Sequence, residues 1–217
     1  MLALYGHPFS SYTWKAQIAL HAAELDYDMR EVGPAHPEHG EFLVDHGGPL
    51  GKFPVLCDGD TVLFEASVII EHVALRHAPG AGLLPRDPAA ALSLRMVDRV
   101  FDNYVMAPMQ AIVNEHLRNA GDPDTGRCAE ERGRLERSYA WVEDWLAGYH
   151  TQGSVTLIEC AAAPSLFYAD WVHPIGEAYP RLRAWRSALN ARPEVSRCIE
   201  AARPMRHYFP LGAPDQD

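Results

Sequence analysis

"FPVLCDGDTVLFEAS", residues Phe53 to Ser67, is the stretch whose reading decides the fold. Two short apolar runs flank Asp58-Gly59-Asp60. Runs of that kind around an Asp-Gly turn read as a β-hairpin, because Gly accepts the positive φ that a tight hairpin turn demands. Pro54 fits the start of the first run, where no ladder N–H is required. Glu65 to His77 then reads as a helix, with Val68, Ile69, Val73 and Leu75 expected to face inward. The unit is ββα.

Working outward, "LALYG" is a short apolar run ended by Gly6 and Pro8, the pattern of a buried strand. Trp14, Ile18 and Ala22 follow at helical spacing, predicting a helix from about Ser11 to Ala23. "DYDMREV" alternates as a second strand. The Gly/Pro/His-rich stretch from Gly33 to Gly51 carries little pattern beyond a short helix near Glu38 to Asp45. "APGAGLLPRDP", residues 78–88, is dense in Pro and Gly and reads as a linker, with Asp87-Pro88 capping and starting the next helix. Beyond it only helical periodicity remains, over roughly 89–120, 127–149, 156–172, 179–190 and 193–203. The expected fold class is therefore α/β plus all-α: an α/β domain over 1–77, a linker over 78–88 and an all-helical domain over 89–217.

The 217 residues carry 29 acidic against 19 basic side chains, a net charge of -10, which disfavours nucleic acid and anionic membrane as partners. No apolar run approaches the roughly 20 residues that span a bilayer. Met1 leads directly into "LALYGHPF" with no basic n-region, so a cytoplasmic chain is expected. Cys57, Cys128, Cys160 and Cys198 show neither C-x-x-C nor zinc spacing and read as reduced thiols. No histidine pair reads as a metal site; His36-x-x-His39 sits in a Gly/Pro-rich loop, and no metal is expected.

The βαβ–ββα order with Pro54 opening the third strand resembles the cytosolic glutathione transferase family, a thioredoxin-like N-terminal domain followed by a helical bundle. The resemblance covers nearly the whole chain and implies glutathione as co-substrate. It implies that Pro54 is cis and that the Phe53 backbone pairs with the cysteinyl part of glutathione. "FEAS", residues 64–67, matches the family's acidic-Ser pair only in part. Glu65 holds the acidic position that meets the γ-glutamyl end. Ala66 stands where Ser is usual, with Ser67 one residue late, so weaker glutathione binding is expected. Lys52, and less directly His39, would reach the glycyl carboxylate.

Under the same resemblance "SSYTWKAQIAL", residues 10–20, matches the Ser-Ser-Cys-x-Trp pattern of zeta-class members with Tyr12 in place of Cys. Ser10 falls where theta- and zeta-class enzymes carry their active-site Ser. Its hydroxyl would donate to the glutathione sulfur and favour the thiolate, and it also suits the helix N-cap. Ser11 and then Tyr12 are the alternative donors. A thiol–disulfide oxidoreductase is disfavoured, because no Cys occupies residues 7–14.

In the helical half, Thr156 and Glu159 form a capping box, and Pro164 sits inside the helix that follows. Phe101, Tyr104, Met106 and Met109 are the candidates to line a pocket for a hydrophobic electrophile. The resemblance further implies a homodimer. Conjugation of an electrophile is the leading expectation. Glutathione-dependent cis–trans isomerisation of the maleylacetoacetate type, dehalogenation and a non-catalytic interaction scaffold stay open.

Overall fold

Strand β1 (Leu2–Gly6) pairs in parallel with β2 (Tyr27–Glu31), and helix α1 (Ser11–Ala22) makes the crossover a parallel pair requires. After α2 (Pro37–His46) and a 3₁₀ turn, β3 (Val55–Asp58) returns antiparallel to β1 and pairs with β4 (Thr61–Phe64). The sheet order is β2-β1-β3-β4. Asp58 lies opposite Thr61, so the hairpin turns on Gly59–Asp60, with Gly59 at φ 58°. The computed structural model describes residues 1–150, 153–215 and 217, and among them every strand of this sheet lies within residues 2–64.

Helix α3 (Ala66–His72) runs into a π-helical turn, Val73–His77. Its inward residues are Ala66, Ile69, Ile70, Val73 and Ala74, a regular one-sided stripe. Val68 and Leu75, expected inside, are instead 48% and 69% exposed, because they sit on the opposite side of that stripe.

The 78–88 segment is tied down: Leu83 is buried, and its carbonyl accepts from Leu157 N at 2.9 Å. Asp87 caps α4 (Pro88–Val100) by accepting from Ala90 N at 2.8 Å. A π-helical turn, Phe101–Met106, leads to α5 (Ala107–Arg118), so the rod predicted over 89–120 is interrupted at its middle. Pro108 is the reason. It has no N–H for the Tyr104 carbonyl, and Ser138 of α6 (Thr125–Trp145) donates to that carbonyl instead, at 2.6 Å. Helix α6 starts at the Asp124 cap and ends at Trp145, short of the predicted 149. Helix α7 (Leu157–Val172) begins on the Thr156–Glu159 capping box, contains Pro164 and is buried almost all round. Helices α8 (Pro180–Asn190) and α9 (Pro193–Ala202) and a 3₁₀ turn, Arg203–Tyr208, complete the chain.

The two halves meet where α1 packs on α7 and α9. One polar cluster crosses this apolar seam. Lys15 is fully buried; its Nζ lies 2.6 Å from Asp98 Oδ1 and donates to Asp102 Oδ1 at 2.7 Å and to Ser67 Oγ at 2.9 Å. Burial pushes the Asp102 carboxyl above its ordinary range, and the Lys15 ammonium pulls it back. Lys15→Met leaves two carboxylates in a low-dielectric joint. We expect a loss of about 3–5 kcal/mol in urea unfolding, since one buried partner stays uncompensated.

Glu115 on α5 holds the turn into α6, accepting from Asn119 Nδ2 at 2.7 Å, from Asp124 N at 3.2 Å and from Arg118. The hydrogen bond from Asn119 above all, with those from Asp124 N and Arg118, brings its pKa from 4.5 down to about 2. A carboxyl depressed by folding stabilises above its unfolded pKa and loses that contribution as pH falls toward the folded value. Glu115→Gln is expected to flatten the acid limb of stability between pH 4.5 and about 2, read from urea midpoints across that window.

Candidate functional site

Residues 7–10, between β1 and α1, form a loop held from four directions. His7 N donates to Thr13 Oγ1 at 3.2 Å and Phe9 N to His7 Nδ1 at 3.1 Å. Trp14 Nε1 donates to Pro8 O at 2.6 Å, and Tyr168 OH, from α7, donates to Phe9 O at 3.1 Å. The loop delivers Ser10 as the N-cap of α1, where its Oγ accepts from Thr13 N at 3.3 Å. A capping hydroxyl spends a lone pair on the helix and keeps its proton, so Ser10 can cap and donate at once.

Ser10, Ser11 and Tyr12 open into a cavity of about 530 Å³. Ser11 is 4% exposed and Ser10 more open, which favours Ser10 as the group a ligand meets first. Burial, then the charges of Asp102 and Glu65, push the Tyr12 phenol up to about 12. It stays protonated at neutral pH and can donate but not act as a base.

Tyr12, Lys52 and Phe53 also line a second cavity of about 230 Å³, so the two form one cleft. Its remaining wall includes Pro54, Glu65 and Ala66 together with Arg99 of α4 and Asp102 and Asn103 of the π-helical turn that continues it, the two forming the α4 rod. The Phe53–Pro54 peptide is cis. Gly47 lets the loop close tightly before Lys52: a Cβ there would stand 2.6 Å from the Lys52 carbonyl oxygen. The Ala66 N–H, first of α3, has no partner within its helix. Glu65 precedes it at φ 71°, ψ 113°, a region that L-residues avoid.

The structure redistributes several expected roles. Ser67 does not line the cleft. Its proton goes to Asp98 Oδ2 at 2.9 Å and its oxygen accepts from Lys15 and Arg99, which commits the whole hydroxyl. His39 is turned away, its Nδ1 donating to Glu31 O at 2.6 Å and its ring edge-on to Tyr5. Of the electrophile candidates only Met109 lines the larger cavity. Phe101 and Met106 are fully buried core residues, and Tyr104 faces a separate groove between the α4 rod and α6. The apolar lining comes instead from Phe9, Val113, Tyr168, Tyr208 and Phe209. No spacing in the sequence brings Arg99, Asn103 or the 208–210 segment to the cleft; only the packing of the two halves does.

The cysteines stand apart from this chemistry. Cys57 is half-buried and Cys160 and Cys198 are buried, and burial pushes all three thiols up, away from thiolate character.

The family model described as "Glutathione S-transferase, N-terminal domain" matches residues 4–81. Glutathione S-transferase 3 of Zea mays is 30% identical over 212 residues, covering 92% of this chain and 94% of its own. Glutathione S-transferase 4 of the same plant is 28% identical over 230 residues, covering 97% and 94%. A crystal structure of a glutathione S-transferase from Methylobacillus flagellatus KT with GSH bound superposes with a TM-score of 0.77 at 26% identity, over 91% of this chain and 98% of that one.

The backbone at Glu65 is testable apart from any ligand. Glu65→Gly should raise stability by about 1 kcal/mol by relieving the positive φ, whereas Glu65→Ala, which keeps the strain, should not. Urea midpoints of the two variants check this.

Proposed function

The chain belongs to the glutathione S-transferase family, and on that premise we propose that it activates the thiol of glutathione with Ser10 for attack on a hydrophobic electrophile. The observation that carries this reading is the Ser10 hydroxyl, anchored through its lone pair to Thr13 N and opening into the cleft with no acceptor for its proton among the described residues.

In this reading the smaller cavity takes the γ-glutamyl end. Glu65 meets its ammonium, while the Ala66 N–H and the Arg99 guanidinium meet its carboxylate. The Phe53 backbone, beside the cis bond to Pro54, pairs with the cysteinyl part, and Lys52 reaches the glycyl carboxylate. No hydroxyl serves the Ala66 position, since Ser67 is consumed by Lys15, Asp98 and Arg99. Binding weaker than in members that carry Ser there follows.

The energetics close with few groups. A thiol of pKa about 8.5 needs roughly 2.7 kcal/mol of preference for its anion to reach about 6.5. A hydrogen bond to a charged group contributes about 1.5–3 kcal/mol. The N-terminus of α1 adds about 0.3–1 kcal/mol. The thiol proton leaves to solvent, and the sulfur lone pair forms the bond to the electrophilic carbon. The electron pair displaced there departs with a leaving group or, in an addition, moves onto the conjugated acceptor, which takes a proton from solvent. Tyr12, protonated and lining both cavities, is the reserve donor.

The electrophile binds in the larger cavity among Phe9, Met109, Val113, Tyr168 and Phe209. The closing segment supports this, because Phe209 packs edge-on against Trp171 at 5.0 Å and Arg206 lies over the same ring at 5.3 Å, fixing that wall. We read residues 1–77 as the glutathione-binding domain, 78–88 as the connection and 89–217 as the domain that builds the electrophile pocket. A homodimer is supported by exposed Phe64, Val68, Leu92 and Met96 and by a mostly apolar groove of about 540 Å³ lined in part by exposed Tyr104 and Trp141. No helix among the described residues is long and apolar enough to cross a membrane, and we place the protein in the cytoplasm.

Calorimetric titration of glutathione into wild type and Ser10→Ala, with thiolate absorbance across pH, tests the assignment. Both proteins should bind, with the bound thiol pKa rising by a unit or more in the variant, a tenfold or larger loss of thiolate below it. An unchanged pKa would transfer the role to Ser11 or Tyr12. No binding to wild type at millimolar glutathione would leave a scaffold.

A further inference from the structure

We propose that Asp58, His72 and His77 form a binding site for a first-row divalent cation of the zinc type, tying the β3–β4 hairpin to the end of α3. Both imidazoles converge on one oxygen. His72 Nε2 donates to Asp58 Oδ2 at 2.8 Å and His77 Nε2 donates to the same atom at 2.7 Å. The three donor atoms lie within 4.8 Å of one another.

The backbone accounts for the convergence. In an α-helix, residues five apart point about 140° away from each other. Here the chain widens into the π-helical turn Val73–His77, closed by Ala78 N donating to Val73 O at 2.9 Å, an i→i+5 bond. The wider turn brings His77 back to the side of His72. Asp58 arrives from the last position of β3, immediately before the tight turn. Single-turn π insertions of this kind recur at functional sites.

The donor set suits the cation. Two imidazole nitrogens and one carboxylate oxygen are borderline ligands that suit Zn²⁺, Co²⁺ and Ni²⁺. Ligands about 2.0–2.1 Å from Zn²⁺ in a tetrahedron lie roughly 3.4 Å apart, so each nitrogen, now 2.8 and 2.7 Å from the oxygen, retreats by about 0.6–0.7 Å to admit the ion. Each ring keeps its proton by moving it to Nδ1, leaving the Nε2 lone pair for the metal. The three side chains are 15–26% exposed, which leaves an entry path and a fourth position for water. The site is far in sequence from the Ser10 loop, and its role is structural: it pins the far end of the helix whose first residues wall the smaller cavity.

Co²⁺ titration of the untagged protein, without glutathione, is the test, followed by thermal melting with Zn²⁺. We expect one equivalent to give the intense visible absorption of four-coordinate Co²⁺. Zn²⁺ at about a hundredfold excess over its Kd should raise Tm by about 5 °C or more. His77→Gln, on an exposed turn, and Asp58→Asn should each abolish both responses. His36→Gln/His39→Gln, at the other His/Glu cluster near the surface, should keep them. Absorption no different from aqueous Co²⁺, responses that persist in His77→Gln, or responses lost only in His36→Gln/His39→Gln would overturn the proposal.

Discussion

The buried ammonium of Lys15 is the constraint on which the rest of the site depends. A lysine with no exposed surface is tolerable only where carboxylates and hydroxyls replace its water, and here Asp98, Asp102 and Ser67 do so. Such a cluster contributes little net stability, because desolvation offsets most of the Coulomb attraction. What it supplies is position. It joins α1, the first turn of α3 and the α4 rod at one point, and those three elements carry Ser10, Ala66 and Arg99. The same cluster also explains why Ser67 is no substitute for a hydroxyl at Ala66: its oxygen is already the hub between Lys15 and Arg99.

A second joint is aromatic. Tyr168 donates to the Phe9 carbonyl while its ring meets Phe9 edge-on at 5.5 Å, and Phe209 closes over Trp171 and Phe9. The helical half thus sets the loop that carries Ser10, and the end of the chain becomes a wall of the cleft. Elsewhere in the cleft, the positive φ at Glu65 lies at the start of α3 in the wall of the smaller cavity, the arrangement expected where a backbone must present a group to a ligand.

Two π-helical turns show how local chain chemistry redirects side chains. At Phe101–Met106 the missing Pro108 donor widens the rod and Ser138 from a neighbouring helix completes the Tyr104 carbonyl. At Val73–His77 the wider turn swings His77 toward Asp58. Neither turn follows from apolar periodicity, and both move residues off the faces that a uniform 3.6-residue period assigns.

The sequence by itself determined the strand order, a hairpin turning around Asp58-Gly59-Asp60, the helical second half, the Asp87 and Thr156–Glu159 caps, and Ser10 as a hydroxyl at the start of α1. These rest on interactions within a few residues, where the chain's own geometry dictates which groups meet. Only the tertiary structure decided that Ser67 belongs to Lys15, that His39 turns away, that Phe101 and Met106 are core, and that Arg99, Asn103 and Phe209 reach the cleft. Each of those outcomes depends on which surfaces of distant elements pack together. An apolar or ionic side chain carries no mark in sequence of the partner that will cover it.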